Sequence, residues 1–506
     1  MASRRDELNA YTFAKKRLVS AFLQPSSTGT EEGAPRPLRA VLPGIVIGAL
    51  VLVGFGAWGM FKPKAPKDWN KPGEKVIVGS ESTTRYVVLK TKGTTQLHPV
   101  LNLASARLLL DPQKGDVVKV DEKVLDGGEV RRGASIGIPY APDRLPTADE
   151  ASTSVRWAVC VRPSPGGGTA QRAAFVFAER ERERVDGRNR LRGGELLYVA
   201  GQDGTRYVVD KKGTKYRIRN DRYLLRAIVG DQRPQRVTDG WLDTLREGDP
   251  IRVPRLPADI GSPAEVPGTL RGKLNTVGTV LKTTEANVVK HYLVLKGRVV
   301  PVSAFVATLL LGQPELAHQG GKAKEFGLGG FEARGPAFAG HHDWPKAKSE
   351  RVNTPGATGG ARDTLCGVLR GVDRETGRPT LSTWAGKSYP APLPTGSTSA
   401  YVTPGAGQLF RQVTGRNTRV GPVFLVTDTG LRYALQSNSD SARDESDIGS
   451  DGKSASREKQ TEESQGAQRR LGYENVKPTP VPAAWSRFLP TGPRLSPADA
   501  RQPQGS

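Results

Sequence analysis

Two triplets, Gly386-Lys387-Ser388 and Gly452-Lys453-Ser454, end as a phosphate loop ends. Such a loop cradles phosphates on backbone amides and needs G-x-x-x-x-G-K-[ST]. The first glycine of that pattern is replaced by Leu381 in one case and Asp447 in the other. Gly327-Leu328-Gly329-Gly330 is glycine-rich but lacks the strand-to-helix setting of a dinucleotide site. His341 and His342 are adjacent, so they point apart from one backbone, and only Asp343 stands at a zinc-ligand spacing; they read as surface histidines. His98 and His291 fall in hairpin patterns and read as structural. No G-x-S-x-G elbow occurs. No catalytic, cofactor-binding or metal-binding residue is therefore assigned, and no cofactor is expected. The remaining chemistry belongs to the two cysteines. Cys160 and Cys366 either form a disulfide closing a loop of 206 residues or stay as two buried thiols. A disulfide needs an oxidising compartment, and would place residues 62–506 outside the cell.

The elements that would carry these residues begin with a membrane segment. Residues 40–61 contain no charge over 22 positions, flanked by Arg36 and Arg39 on one side and Lys62, Lys64 and Lys67 on the other. A helix of that length reaches roughly 33 Å, enough to cross a hydrocarbon core of about 30 Å. The run is too long for the apolar stretch of a cleaved leader, and no second run follows, so a single-pass anchor is expected. Trp58 and Trp69 are placed as interfacial anchors. Residues 1–39 carry seven basic side chains and residues 62–81 five lysines, so charge bias alone does not orient the segment. Gly44 and Gly48 form a G-x-x-x-G, the pattern of a helix-packing face, although five glycines in the segment make a coincidental match equally natural.

Ahead of the anchor, residues 3–24 read as an amphipathic helix. Leu8, Tyr11, Ala14, Leu18 and Phe22 recur at spacings of three or four, and Pro25 ends the pattern. Such a helix either lies on anionic headgroups or docks a partner at the membrane through Leu8, Tyr11, Leu18 and Phe22.

Beyond the anchor a pattern recurs. Aromatic-led strands at Tyr86, Tyr207, Tyr292 and Phe424 are each followed by a glycine turn (Gly93, Gly213, Gly297, Gly430) and a second strand. The intervals are unequal, which excludes a stacked solenoid. The expected fold is a single-pass α+β protein with a β-rich, elongated outer region of four hairpin-containing modules around a central β domain. The expected divisions are a tail with its helix (1–39), the membrane helix (40–61), a linker (62–82), module 1 (83–150), a first central-domain segment (151–196), module 2 (197–265), module 3 (266–340), a second central-domain segment (341–422), module 4 (423–497) and a frayed tail (498–506). Residues 437–470 hold 8 serines, 8 acidic and 6 basic residues and no aromatic, so they read as a disordered insertion. Glu179–Arg190 reads as a solvated charged loop.

Composition narrows the function. With 75 Lys+Arg against 51 Asp+Glu among 506 residues, the net charge is +24. Residues 1–39 contribute +3 and residues 62–506 contribute +21. The basic residues are spread out and aromatics are 6% of the chain, so no nucleic-acid footprint is present. Membrane lipids, anionic wall polymers or partner subunits are the expected counter-charges.

The stretches Leu97–Leu110, Gly137–Pro146, Trp157–Cys160 and Trp485–Pro497, with the basic helix Arg5–Leu23, resemble the EccB family of actinobacterial type VII (ESX) secretion systems. The resemblance covers nearly the whole chain; the 437–470 insertion departs from it in length. It implies a short cytoplasmic N-terminus, one membrane helix, repeat modules about a disulfide-linked central domain, and assembly with an EccC-type ATPase and an EccD-type channel component, with homo-oligomerisation. ATPase activity proposed within the family has no motif here. The expected function is a membrane-anchored structural subunit. The alternatives are an anchored nucleotide or cell-wall hydrolase, or a free-standing wall-binding module.

Overall fold

A computed structural model describes residues 4–23, 38–60, 65–164, 169–327, 331–353, 362–393, 399–435 and 466–504, with backbone only for 38–40 and 56–60. The chain divides into two compact units, Met1–Lys67 and Asp68–Ser506.

The first unit holds two helices. Helix α1 (Arg4–Leu23) covers the span read as helical, and none of its residues is buried. Helix α2 (Leu38–Met60) carries the apolar run, with Pro43 inside it. Its described side chains, 41–55, are all exposed. Counted over described residues, no helix is long and apolar enough to cross a membrane: those 15 side chains cover only about 22 Å.

The second unit is built from five sheets. Strands β1 (Lys75–Gly79), β2 (Arg85–Thr91) and β3 (Thr94–Val100) form an antiparallel meander. Helix α3 (Leu103–Leu109) follows, then β4 (Asp116–Val120) parallel to β1, helix α4 (Glu122–Leu125), and β5 (Arg131–Arg132) parallel to β3. After α5 (Ala148–Ser152) come β6 (Arg156–Arg162), β7 (Gln171–Phe177) and the short α6 (Glu183–Asp186). The first pattern then returns. Meander β8 (Glu195–Ala200), β9 (Arg206–Asp210), β10 (Thr214–Ile218) leads to α7 (Arg222–Val229), β11 (Gln235–Arg236) parallel to β8, α8 (Asp239–Leu242) and β12 (Arg246–Glu247) parallel to β10. It returns again as β13 (Val280–Glu285), β14 (Val288–Leu295), β15 (Arg298–Val302), α9 (Ala304–Leu311) and β16 (Lys324–Glu325) parallel to β13. Strand β17 (Glu350–Arg351) adds to β8. Strands β18 (Thr364–Val372), β19 (Pro379–Gly386) and β20 (Ala400–Val402) join β6 and β7 in the order β19-β18-β6-β7-β20. The last meander is β21 (Gln408–Val413), β22 (Val423–Val426), β23 (Arg432–Ala434). After it come α10 (Gly466–Arg470), β24 (Thr479–Pro482) parallel to β21, α11 (Ala483–Ser486) and α12 (Pro497–Ala500).

Four sheets thus share one connectivity, and the same local chemistry builds them. Each second turn uses a glycine at positive φ: Gly93 at 78°, Gly213 at 69°, Gly297 at 69° and Gly430 at 80°. An L-side chain is disfavoured there, which is why glycine stands at all four turns. The helices after three of the meanders are capped alike. Asn102 accepts from Ser105 N (2.9 Å), Asp221 from Leu224 N (2.9 Å) and Ser303 from Val306 N (3.2 Å). Each cap contributes about 1 kcal/mol by satisfying an orphan amide at the helix start.

The sheets share cores in a pattern that crosses the sequence. One core joins Val76, Val87, Leu108 and Ile136 of the first sheet region to Leu409, Leu425, Tyr433, Leu471 and Tyr473 of the last. Another joins Tyr198, Tyr216 and Ile228 to Val280, Phe305 and Leu310. The regions therefore pair first with fourth and second with third.

Several expectations are corrected. The first sheet begins at Lys75, inside the expected linker, and the fourth at Gln408, inside the expected second central-domain segment, because each meander has a strand before its aromatic-led one. Trp69 is 6% exposed within the second unit and is no membrane-interface anchor. Residues 466–470 are helical with Ala467 buried, so the insertion does not extend to 470; 437–465 lie outside the described residues. The tail is ordered as far as residue 504: α12 buries Ala500, and Pro503 bridges Ile136. Glu179–Arg190 contributes a buried Val185 rather than only a solvated loop.

Candidate functional site

The residues that could hold this assembly together converge on the central sheet. Its strands alternate cleanly between two cores. Trp157, Val159 and Val161 of β6 and Leu365 and Leu369 of β18 face the core shared with the second and fourth sheet regions. Ala158, Cys160, Cys366 and Val368 face a second core with Phe175, Phe177 and Trp384. Period-two burial on both faces is what a central strand of mixed β-branched and aromatic residues gives.

Cys160 and Cys366 lie directly opposite each other in the β6–β18 register, and they are disulfide-bonded. The bond closes a loop with a sequence separation of 206. It thus ties the two stretches of central strand that the second and third sheet regions separate. In the chain-entropy account, such a cross-link restricts the unfolded state by about 5 kcal/mol, with measured effects of about 2–5.

Large side chains from the neighbouring regions seat on the same sheet. Trp241 on α8 is fully buried and donates Nε1–H to the Val159 carbonyl (3.0 Å). Trp157 donates to Gln408 Oε1 (2.9 Å) and meets the Phe410 ring edge-on at 5.1 Å. Trp485 on α11 belongs to the same core. Gly367 makes this convergence possible: a β-carbon there would lie 3.3 Å from both Leu245 Cδ2 and Thr244 Oγ1 and 3.5 Å from Trp485.

On the other flank Asp186 is clamped by Arg156 (3.3 Å) and by a paired contact with Arg370. Burial alone would raise the Asp186 carboxyl. The hydrogen bonds and charge of Arg370, then Arg156, outweigh it and hold the group below the ordinary carboxylate range. The clamp fixes the α6 segment to the two disulfide-linked strands.

The pairing of first and fourth regions has its own polar seal. Tyr473, 1% exposed, donates its hydroxyl to Pro146 O (2.7 Å), and Gln113 donates to Glu474 (3.1 Å). Arg470 donates to Leu110 O. The second and third regions are joined at the histidines. His342 stacks on Trp344 at 4.1 Å and faces Asp249 at 3.5 Å, while Asp249 and Asp343 accept each other's backbone amides (2.8 and 3.0 Å). His98 is buried with its Nδ1 2.9 Å from Ala134 O, and burial lowers its pKa.

Of the residues singled out by sequence, the cysteines are brought together here. Leu8, Tyr11, Leu18 and Phe22 are exposed on α1, at 66–89%. Phe13 and Val19 are exposed beside them, so the apolar surface is wider than the stripe. Gly44 and Gly48 are open, with nothing within 4 Å of an added β-carbon. Among the described residues no group of three or more His, Cys, Asp or Glu is placed to hold a metal. Sequence reasoning did not single out Trp241, Asp186 or Gly367. Only the spacing of tryptophans against strand patterns could have suggested the first.

The fold and this site define a multi-sheet body organised on a disulfide-linked sheet. Solved proteins with this fold include a chain of an intact ESX-5 inner membrane complex (20% identity, 100% of this chain and 96% of that one, TM-score 0.52). They also include an EccB3 dimer from the ESX-3 core complex (22% identity, 84% and 99%, TM-score 0.53). The family described as "Type VII secretion system ESX-1, transport TM domain B" matches residues 1–505, and the chain belongs to this EccB family. Relatives include the ESX-3 secretion system ATPase EccB3 of Mycobacterium tuberculosis, 26% identical over 98% of this chain and 88% of the relative. The ESX-1 secretion system ATPase EccB1 of Mycolicibacterium smegmatis is 26% identical over 60% of each.

Proposed function

We propose that this protein is a structural, membrane-anchored subunit of a type VII secretion complex. In this reading residues 40–61 form its single span, the N-terminus is cytoplasmic, and residues 62–506 lie on the outer side. The disulfide supports that orientation, because such a bond persists in an oxidising compartment. The four sheets of common connectivity are four repeat modules in this reading, and the central sheet is the frame on which they are fixed. Helix α1 docks a cytoplasmic or membrane-level partner through Leu8, Tyr11, Leu18 and Phe22. Gly44 and Gly48 give the span a packing face. The partners are an EccC-type ATPase, an EccD-type channel component, further copies of this chain, membrane lipids and wall polymers.

The observation that carries the reading is the match to a secretion-system family over residues 1–505. Two relatives are named ATPases, but the phosphate-loop triplets of this chain lack their first glycine. The test is purification of the full chain from membranes in mild detergent. The scaffold reading expects a large complex containing an ATPase subunit distinct from this chain. Recovery of a solitary monomer would sink it. ATP turnover by this chain alone, abolished by one side-chain change, would favour an enzyme instead.

A further inference from the structure

Between α7 and α9 lies a cleft of about 1020 Å³ that the packing of the second and third sheet regions leaves open. One end is fixed where Gly312 follows α9: a β-carbon there would come within 3.1 Å of Ala227 on α7. The lining carries five cations (Arg226, Lys282, Lys322, Lys324 and Lys348) and a single carboxylate, Glu325. The carboxylate is taken up by Lys282 at 2.8 Å, its neighbour in the β13–β16 register. Among the described residues no acidic group stands within ion-pair distance of Arg226, Lys322, Lys324 or Lys348.

His291 sits opposite Lys282 in the β13–β14 register and lines the same cleft. Its Nδ1 is buried and makes no hydrogen bond. Burial and the charges of Lys282 and Lys348 lower its pKa. A buried polar atom without a partner is costly, and gathering like charges around a concave surface is unfavourable unless a counter-ion occupies it.

We propose that this cleft is a binding site for a phosphate-bearing anion, held by Arg226, Lys322, Lys324 and Lys348. A phosphate carries more charge than one carboxylate and presents several acceptor oxygens. It therefore suits a set of lysine point charges with one arginine fork. The volume is that of a ligand-sized pocket rather than of a lone ion. The site is independent of the scaffold reading: it rests on this cleft alone and holds whether or not the chain enters a secretion complex.

The test is calorimetric titration of the full chain in detergent with inorganic pyrophosphate at low salt. Saturable binding is expected, weakened about tenfold or more by combining Arg226→Gln with Lys348→Gln and weakened again by added salt. Both side chains are exposed, so an unchanged melting temperature will show that the variant folds. Lys90→Gln, an exposed control in the first sheet region, should bind as the parent does. Displacement of pyrophosphate by dihexanoylphosphatidic acid below its micelle concentration identifies a lipid headgroup as the source; displacement by ATP but not by the lipid identifies a soluble phosphate. Absence of saturable pyrophosphate binding, or binding that the double variant leaves unchanged, overturns the proposal.

Discussion

The first and fourth sheet regions and the second and third regions are paired by the same device and finished differently. Both pairs bury the helices that follow their meanders in one shared core. The first–fourth pair draws its halves from opposite ends of the second unit and is sealed by buried or long-range polar contacts, Tyr473 to Pro146 and Gln113 to Glu474. The second–third pair is contiguous in sequence and leaves a cationic cleft beside its helices. The difference teaches that one connectivity can serve two ends: closing a chain onto itself, and presenting a charged surface. Much of the chain's +24 charge needs no single destination; the cleft is one place where cations outnumber acids, five to one.

The largest expected effect falls where both pairs meet the central sheet. Trp241→Ala removes a fully buried ring from the second region's contact, and Trp485→Ala does the same for the fourth. Each should destabilise by about 3–5 kcal/mol in denaturant unfolding. If one were near neutral, the corresponding pair would not be fixed to the sheet. Next, Tyr473→Phe removes one buried hydroxyl and leaves the Pro146 carbonyl without it. The expected loss is about 1–2 kcal/mol, confined to the sealed pair, with faster amide exchange around β22 and β23.

What was legible in the sequence follows from period and length. The meander hairpins were readable because β2, β9 and β14 place an aromatic residue ahead of an apolar run that ends in a glycine turn. The two-residue strands β5, β11, β12, β16 and β17 have no period to detect. They form because a neighbouring edge offers parallel hydrogen bonds, which is a tertiary fact. Helix α10 was hidden because its polar sequence continues the composition of the insertion, whereas its place is set by the burial of Ala467 in the core shared by the first and fourth regions. The pairing of regions was equally hidden, since Tyr473 meets Pro146 across 327 residues. The cysteines were legible as a pair only because there are two of them.

A smaller effect comes from an acid within the first sheet region. Glu122 accepts backbone amides of Ser82 (2.8 Å) and Glu81 (3.0 Å), and the first of these bonds leads in holding its pKa at about 2. Its folded pKa lies below its unfolded value, so its contribution is present above about pH 4.5 and is lost as pH falls toward 2. Asp186 is depressed in the same direction. Melting temperature should fall across that window, and Glu122→Gln should flatten some of the slope. An identical slope in the variant would mean that Glu122 adds nothing to the acid sensitivity. The smallest effect belongs to the open pair: Arg226→Gln with Lys348→Gln should change stability by no more than about 0.5 kcal/mol, because the cleft's cations serve a ligand and not the fold.

The central claim is that a covalently closed sheet outside the cell carries both pairs. It is tested most directly by intact mass of the full chain extracted from its native membrane with a thiol-alkylating reagent present. The expected result is no alkylation of Cys160 or Cys366 before reduction and two additions after it. Two additions without reductant would contradict the closed sheet and the outward placement together.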